Sequence, residues 1–196
     1  MKKESKLKPI AVFVVPASPD GKILVVKHRQ DAYDRDLGEH TWGLPGGGID
    51  EVDNESPILA AIREVREETG LYAYRLEHVS DFIQRKPIKN QPGKFDLSGL
   101  RLLRCEPSDI ESAVGFTSPE TEEVRLICPG ELKLMLDVFL LAHLRMILTF
   151  LNSIHDPRLV PHNSRLVSEV PTPLSRPVEC PSLGIRDREL LSVLRL

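Results

Sequence analysis

Glu64, Glu67 and Glu68 stand at spacings i, i+3 and i+4. On a helix, at about 100° per residue, that spacing gathers three carboxylates into one arc. Like charges on adjacent turns repel by roughly a few tenths of a kcal/mol per exposed pair. A hard divalent cation reverses the sign of the cluster, because Mg²⁺ prefers oxygen donors and is held by carboxylates together with substrate phosphates. Acidic helix faces are common on solvated surfaces, so the surroundings of the three glutamates decide between the two readings.

Those surroundings favour a site. Gly46-Gly47-Gly48 comes shortly before the acidic run, and glycine lets backbone approach a ligand closely. Glu55 follows it, and Arg63 directly precedes the first carboxylate. A guanidinium fork can hold a carboxylate in a fixed orientation. Ser56 suits an N-cap and Pro57 a first helical turn, while Gly70 suits a left-handed C-cap, so a helix is expected from Pro57 to about Thr69. Its apolar face is expected to be Ile58, Ala61, Ile62 and Val65, packed on a sheet, with the glutamates on the side the core does not use.

The run Gly48…Glu55…Arg63-Glu64-Val65-Arg66-Glu67-Glu68-Thr69-Gly70-Leu71 resembles the signature box of the Nudix hydrolases. That pattern is Gly, five residues, Glu, seven residues, then Arg-Glu-apolar-any-Glu-Glu-any-Gly-apolar. From Glu55 onward every fixed position fits; between Gly48 and Glu55 lie six residues instead of five, read as one insertion within Asp50–Asn54. Trp42-Gly43-Leu44-Pro45-Gly46-Gly47 also resembles the family. The resemblance implies an α/β fold, an α/β/α sandwich with a mixed β-sheet and a loop–helix–loop catalytic motif. It also implies metal-dependent hydrolysis of a nucleoside diphosphate linked to another group. Mg²⁺, or Mn²⁺, would be held by Glu64, Glu67 and Glu68 with a carbonyl of Gly47 or Gly48. Glu55 and Arg63 would brace the loop and orient ligands. Glu64 or Glu67 is the expected general base, with Glu120, Glu122 and Glu123 as outside candidates. Arg29, Trp42, Glu120 and Glu123 are candidate substrate contacts; Lys27, His28 and His40 read as a charged strand end and a solvated loop. Pro87, sixteen residues after Leu71, is near where ADP-ribose-cleaving relatives place a proline. The competing reading is a catalytically silent, nucleotide-binding regulatory module of the same fold.

Other elements must position this box. Ile10–Val15 and Lys22–His28 flank the turn residues Ser18-Pro19-Asp20-Gly21 and read as a β-hairpin. Further strands are expected around His78–Ile83, Phe95–Arg104 and Glu123–Cys128, with Gln84–Lys94 a loop. Glu131 to about Ile154 reads as one long helix. The domain is expected over 1–156. The proline-rich stretch 157–196 is expected to be a poorly ordered tail, with a short amphipathic helix at Arg186–Leu196.

Composition bounds the partners. The 196 residues are 41% hydrophobic and 28% charged, enough apolar content for a packed core. A net charge of −3 and 5% aromatics argue against a broad nucleic-acid surface. The mostly apolar stretch Leu132–Leu151 carries Lys133, Asp137, His143 and Arg145, which makes a bilayer span costly. Cys105, Cys128 and Cys180 lack zinc or disulfide spacing and read as free thiols of a cytoplasmic protein. The expected partner is a small-molecule nucleotide, without nucleic acid or membrane, and a homodimer stays open.

Overall fold

A computed structural model describes residues 8–32, 38, 41–87, 94–107 and 109–155. The proline-rich stretch 157–196, His40 and Cys180 lie outside the described residues.

Seven strands form two sheets. β1 (Pro9–Pro16), β4 (Gly46–Gly48), β5 (Glu77–Pro87) and β6 (Phe95–Cys105) make a four-stranded sheet in the order β4-β1-β6-β5. β2 (Ile23–His28), β3 (Trp42–Gly43) and β7 (Thr121–Ile127) make a three-stranded sheet in the order β3-β2-β7. β1 runs parallel to β6 and every other pairing is antiparallel, so the larger sheet is mixed, as the resemblance implies.

The hairpin reading of the first two strands is corrected. Only Ala17 and Ile23 form a bridge across the turn; beyond it β1 and β2 enter different sheets. Turn residues fixed the reversal, but each strand finds its ladder with distant segments. β5 also runs on to Pro87, into the expected loop.

Alternation along the strands divides the core. Val12 and Val14, with Leu24 and Val26, pack against Ala60, Ala61 and Val65 of α1 (Pro57–Thr69). Val15, Ile23 and Val25 pack with Leu144, Ile147 and Leu148 of α2 (Leu141–His155). α1 forms as its ends predict: Ser56 Oγ accepts from Leu59 N–H, and Gly70 adopts φ 73°. Its buried face is rotated from the expected one. Ile58 is 43% exposed, while Ala60, Glu64 and Glu68 are buried. The long helix expected from Glu131 is also corrected. Pro129–Val138 is 3₁₀, Phe139 is extended at ψ 141°, and α2 starts at Leu141. Phe139 breaks the helix because it bridges to Trp42, whose carbonyl accepts from Leu140 N–H at 2.8 Å. No described helix is long and apolar enough to cross a membrane. Cys105 is buried and free, as expected. Cys128 is disulfide-bonded, against the expectation of a free thiol.

Candidate active site

The site is built where α1 meets the glycine turn. β4 pairs with β1, with Gly46, Gly47 and Gly48 opposite Phe13, Val12 and Ala11. Gly46 has φ 147°, and a Cβ there would strike the Val12 carbonyl, so only glycine fits. A Cβ on Gly47 would come 2.5 Å from Glu64 Oε1. Glycine at 47 is what lets the Glu64 carboxylate lie directly on the turn.

The three box carboxylates have unequal surroundings. Glu67 is exposed, whereas Glu64 is 6% and Glu68 1% exposed. The expectation that all three face away from the core therefore holds for Glu67 alone. The physical reason is the rotated helix, which turns Glu64 and Glu68 under β4. Glu68 Oε2 accepts from Gly46 N–H at 2.8 Å, and Oε1 lies 3.3 Å from Nδ1 of the buried His28. From the other side, Leu44 N–H donates to Nδ1 of His143 on α2 at 2.9 Å. Side chains from both helices thus clasp the β3–β4 connection.

Arg63 organises the remainder. Its Nη1 donates to Glu64 Oε1 at 2.8 Å and to Glu67 Oε2 at 3.1 Å, and its Nη2 donates to the Gly48 carbonyl at 3.0 Å. Burial, above all, pushes the Glu64 carboxyl up to about 7; Arg63 opposes that rise and the neighbouring glutamates add to it.

The acid bracing Arg63 is Asp53. Arg63 Nε donates to Asp53 Oδ1 at 3.0 Å and Nη2 to Oδ2 at 2.8 Å. Asp53 is 3% exposed, and the Arg63 guanidinium holds its carboxyl below the usual carboxylate range. Glu55, given the bracing role by the resemblance, is exposed and pairs with Lys8. Asn54 and Glu55 have φ 49° and 56°, so the chain bulges between Asp53 and the helix. A signal for Asp53 was present: five residues separate it from Gly47.

The outer candidates lie elsewhere. Arg29 donates through Nε to the Ser118 carbonyl and through its backbone to the Glu120 carbonyl. Trp42 is 5% exposed, with Arg125 stacked 4.8 Å over its ring. Glu120 is exposed, Glu122 binds Lys27 at 2.7 Å and Glu123 binds Arg125 at 2.6 Å. Beside His28 opens a cavity of about 470 Å³ lined in part by Lys27, Thr41, Trp42 and Glu122.

The model of the NUDIX domain matches residues 7–147. The chain belongs to the NUDIX family. Its fold is similar to the NUDIX domain of Shewanella oneidensis NrtR complexed with ADP ribose, at TM-score 0.51 and 18% identity over 79% of this chain and 93% of that one. Among curated proteins, the RNA pyrophosphohydrolase of Bartonella tribocorum is 39% identical over 66 residues, 33% of this chain and 37% of the relative. The ADP-ribose pyrophosphatase of Bacillus subtilis is 33% identical over 81 residues, 41% of this chain and 40% of the relative. The chain thus covers well under half the length of these two relatives. As a NUDIX protein it keeps every helical position of the box, with the acidic brace moved to Asp53.

Proposed function

We propose that this NUDIX protein is a metal-dependent hydrolase of the phosphoanhydride in a nucleoside diphosphate linked to another group. Supporting this are the substrates named in its distant relatives, RNA and ADP-ribose. The observation that carries it is the convergence of Glu64 Oε1, Glu67 Oε2 and the Gly48 carbonyl on one positive group, the Arg63 guanidinium. Among the described residues no three acidic, histidine or cysteine side chains form a cage by themselves. Mg²⁺ is usually held by one or two carboxylates, with the balance from water and substrate phosphates. Glu64, Glu67 and the backbone oxygens of Gly47 and Gly48 would hold Mg²⁺ or Mn²⁺. When bound, the ion neutralises phosphate charge and polarises the phosphorus–oxygen bond.

The chain's own groups do the rest. Glu64, buried against Gly47, is placed to accept a hydrogen bond from the attacking water and orient it. Arg63, fixed by Asp53, orients Glu64 and Glu67. Glu68, with both oxygens already engaged, locks the glycine turn to α1 and adds negative charge.

The test is a substrate panel with Mg²⁺ and Mn²⁺: nucleoside triphosphates, oxidised ones, ADP-ribose, NADH, dinucleoside polyphosphates and sugar nucleotides. Metal-dependent cleavage of at least one class is expected. Binding of nucleotides without cleavage of any would favour the silent regulatory module.

A further inference from the structure

A second cavity, of about 440 Å³, lies between β5 and α2. Phe82, Leu100 and Met146 supply apolar wall, and Gln84, Arg85 and Arg145 supply hydrogen-bond donors. Among the described residues no acidic side chain lines it. Arg145 is half-buried, and its Nε is fully buried without an acceptor. Among the described residues nothing neutralises the two guanidiniums. α2 carries no Asp or Glu from Leu141 to His155. On β5, Asp81 is taken by Arg101 at 2.9 Å and Glu77 by Arg104 at 2.7 Å. Uncompensated charge of one sign in a concave, partly apolar wall attracts an anion, and the arginine fork matches phosphate oxygens.

The cavity opens on the α2 face of the four-stranded sheet and the box carboxylates lie on its α1 face; the two faces meet at β4, the edge strand of that sheet. Phe82 pairs with Leu100, Leu100 with Ala11, and Ala11 with Gly48, a single row across four strands. With neighbouring strands 4.7–4.9 Å apart, Leu100 stands about 10 Å and Phe82 about 15 Å from Gly48. That span is comparable with the length of a nucleotide. Phe82, Leu100 and Met146 offer a surface for a base or a sugar face.

We propose that this cavity receives a second phosphate carried on the nucleoside end of the substrate, remote from the anhydride that is cleaved. The proposal rests on the hydrolase reading above and narrows its substrate class to nucleoside diphosphate derivatives bearing a ribose 2′- or 3′-phosphate. Arg145 is the principal contact, and Arg85 closes the mouth.

The test is equilibrium binding by calorimetry in EDTA, so that neither metal nor turnover enters. Two ligand pairs differ by one phosphate: ADP-ribose against 2′-phospho-ADP-ribose, and dephospho-coenzyme A against coenzyme A. In at least one pair the phosphorylated member should bind about tenfold more tightly. That ratio should fall to about one in Arg145→Gln and shrink in Arg85→Gln, which sits on an exposed strand position and does not threaten folding. Equal affinities within both pairs, or a ratio that survives Arg145→Gln and Arg85→Gln together, would overturn the proposal. Inorganic phosphate is the control for a separate anion: its binding through Arg145 without preference in either pair would also overturn the substrate assignment. A retained ratio in a protein that hydrolyses nothing would keep the cavity and remove the hydrolase reading.

Discussion

Arg63 grips Asp53 with two donors, Nε to Oδ1 at 3.0 Å and Nη2 to Oδ2 at 2.8 Å, in a pair whose acid is almost wholly buried. Asp53→Asn removes the buried charge from this pair, while Arg63 keeps Glu64, Glu67 and the Gly48 carbonyl. It should cost about 1–3 kcal/mol in urea denaturation. Glu55→Gln, at an exposed pair, should change stability by about 0.5 kcal/mol or less. Turnover should follow the same order. If Glu55→Gln is the damaging change and Asp53→Asn is mild, the brace has been misplaced.

Glu67 and Glu68 should respond differently to the same substitution. Glu67→Gln removes an exposed oxygen donor and should keep the thermal midpoint while weakening Mn²⁺ binding about tenfold, read by electron paramagnetic resonance. Glu68→Gln disturbs a buried carboxylate held by Gly46 N–H and His28, and should cost about 1–3 kcal/mol of stability. Equal stability of the two variants would contradict their placement.

Gly47→Ala isolates the contact between turn and helix. The new methyl would press on the Glu64 carboxylate. Mn²⁺ affinity and turnover should fall by an order of magnitude or so, with a stability loss of about 1–3 kcal/mol. Wild-type metal affinity in this variant would show that Glu64 is not needed where it lies.

The Glu64 carboxyl sets a pH dependence. Its folded pKa, about 7, lies above the ordinary 4.5, so folding favours its protonated form. The associated stability is fully present below about 4.5 and is lost as pH rises through about 7, by up to about 3 kcal/mol. Without metal, wild type should thus lose stability relative to Glu64→Gln across that window. Mg²⁺ should restore it above pH 7 by binding the ionised form. Parallel stability curves for the two proteins would rule out this titration.

α1 was legible because its signals are local: Ser56, Pro57 and Gly70 mark both ends within one short segment. The glutamate spacing was equally local, and so the chemistry could be read. Burial of Glu64 and Glu68 was not, because it depends on where β4 crosses the helix. The seven-residue gap before Arg63 points to Glu55 and hides Asp53, because the left-handed Asn54 and Glu55 absorb two residues without moving the brace. The break at Phe139 and the separation of β1 from β2 likewise depend on partners distant in sequence, Trp42 in one case and β6 and β7 in the other.

The central claim is that Glu64, Glu67 and the glycine turn together hold a divalent cation. Crystals grown with Mn²⁺ and examined by anomalous diffraction test it most directly. The account predicts an anomalous peak bounded by Glu64, Glu67 and the backbone of Gly47–Gly48, with Arg63 still on Asp53. A map without a peak there, both carboxylates remaining on the guanidinium at saturating Mn²⁺, would contradict it.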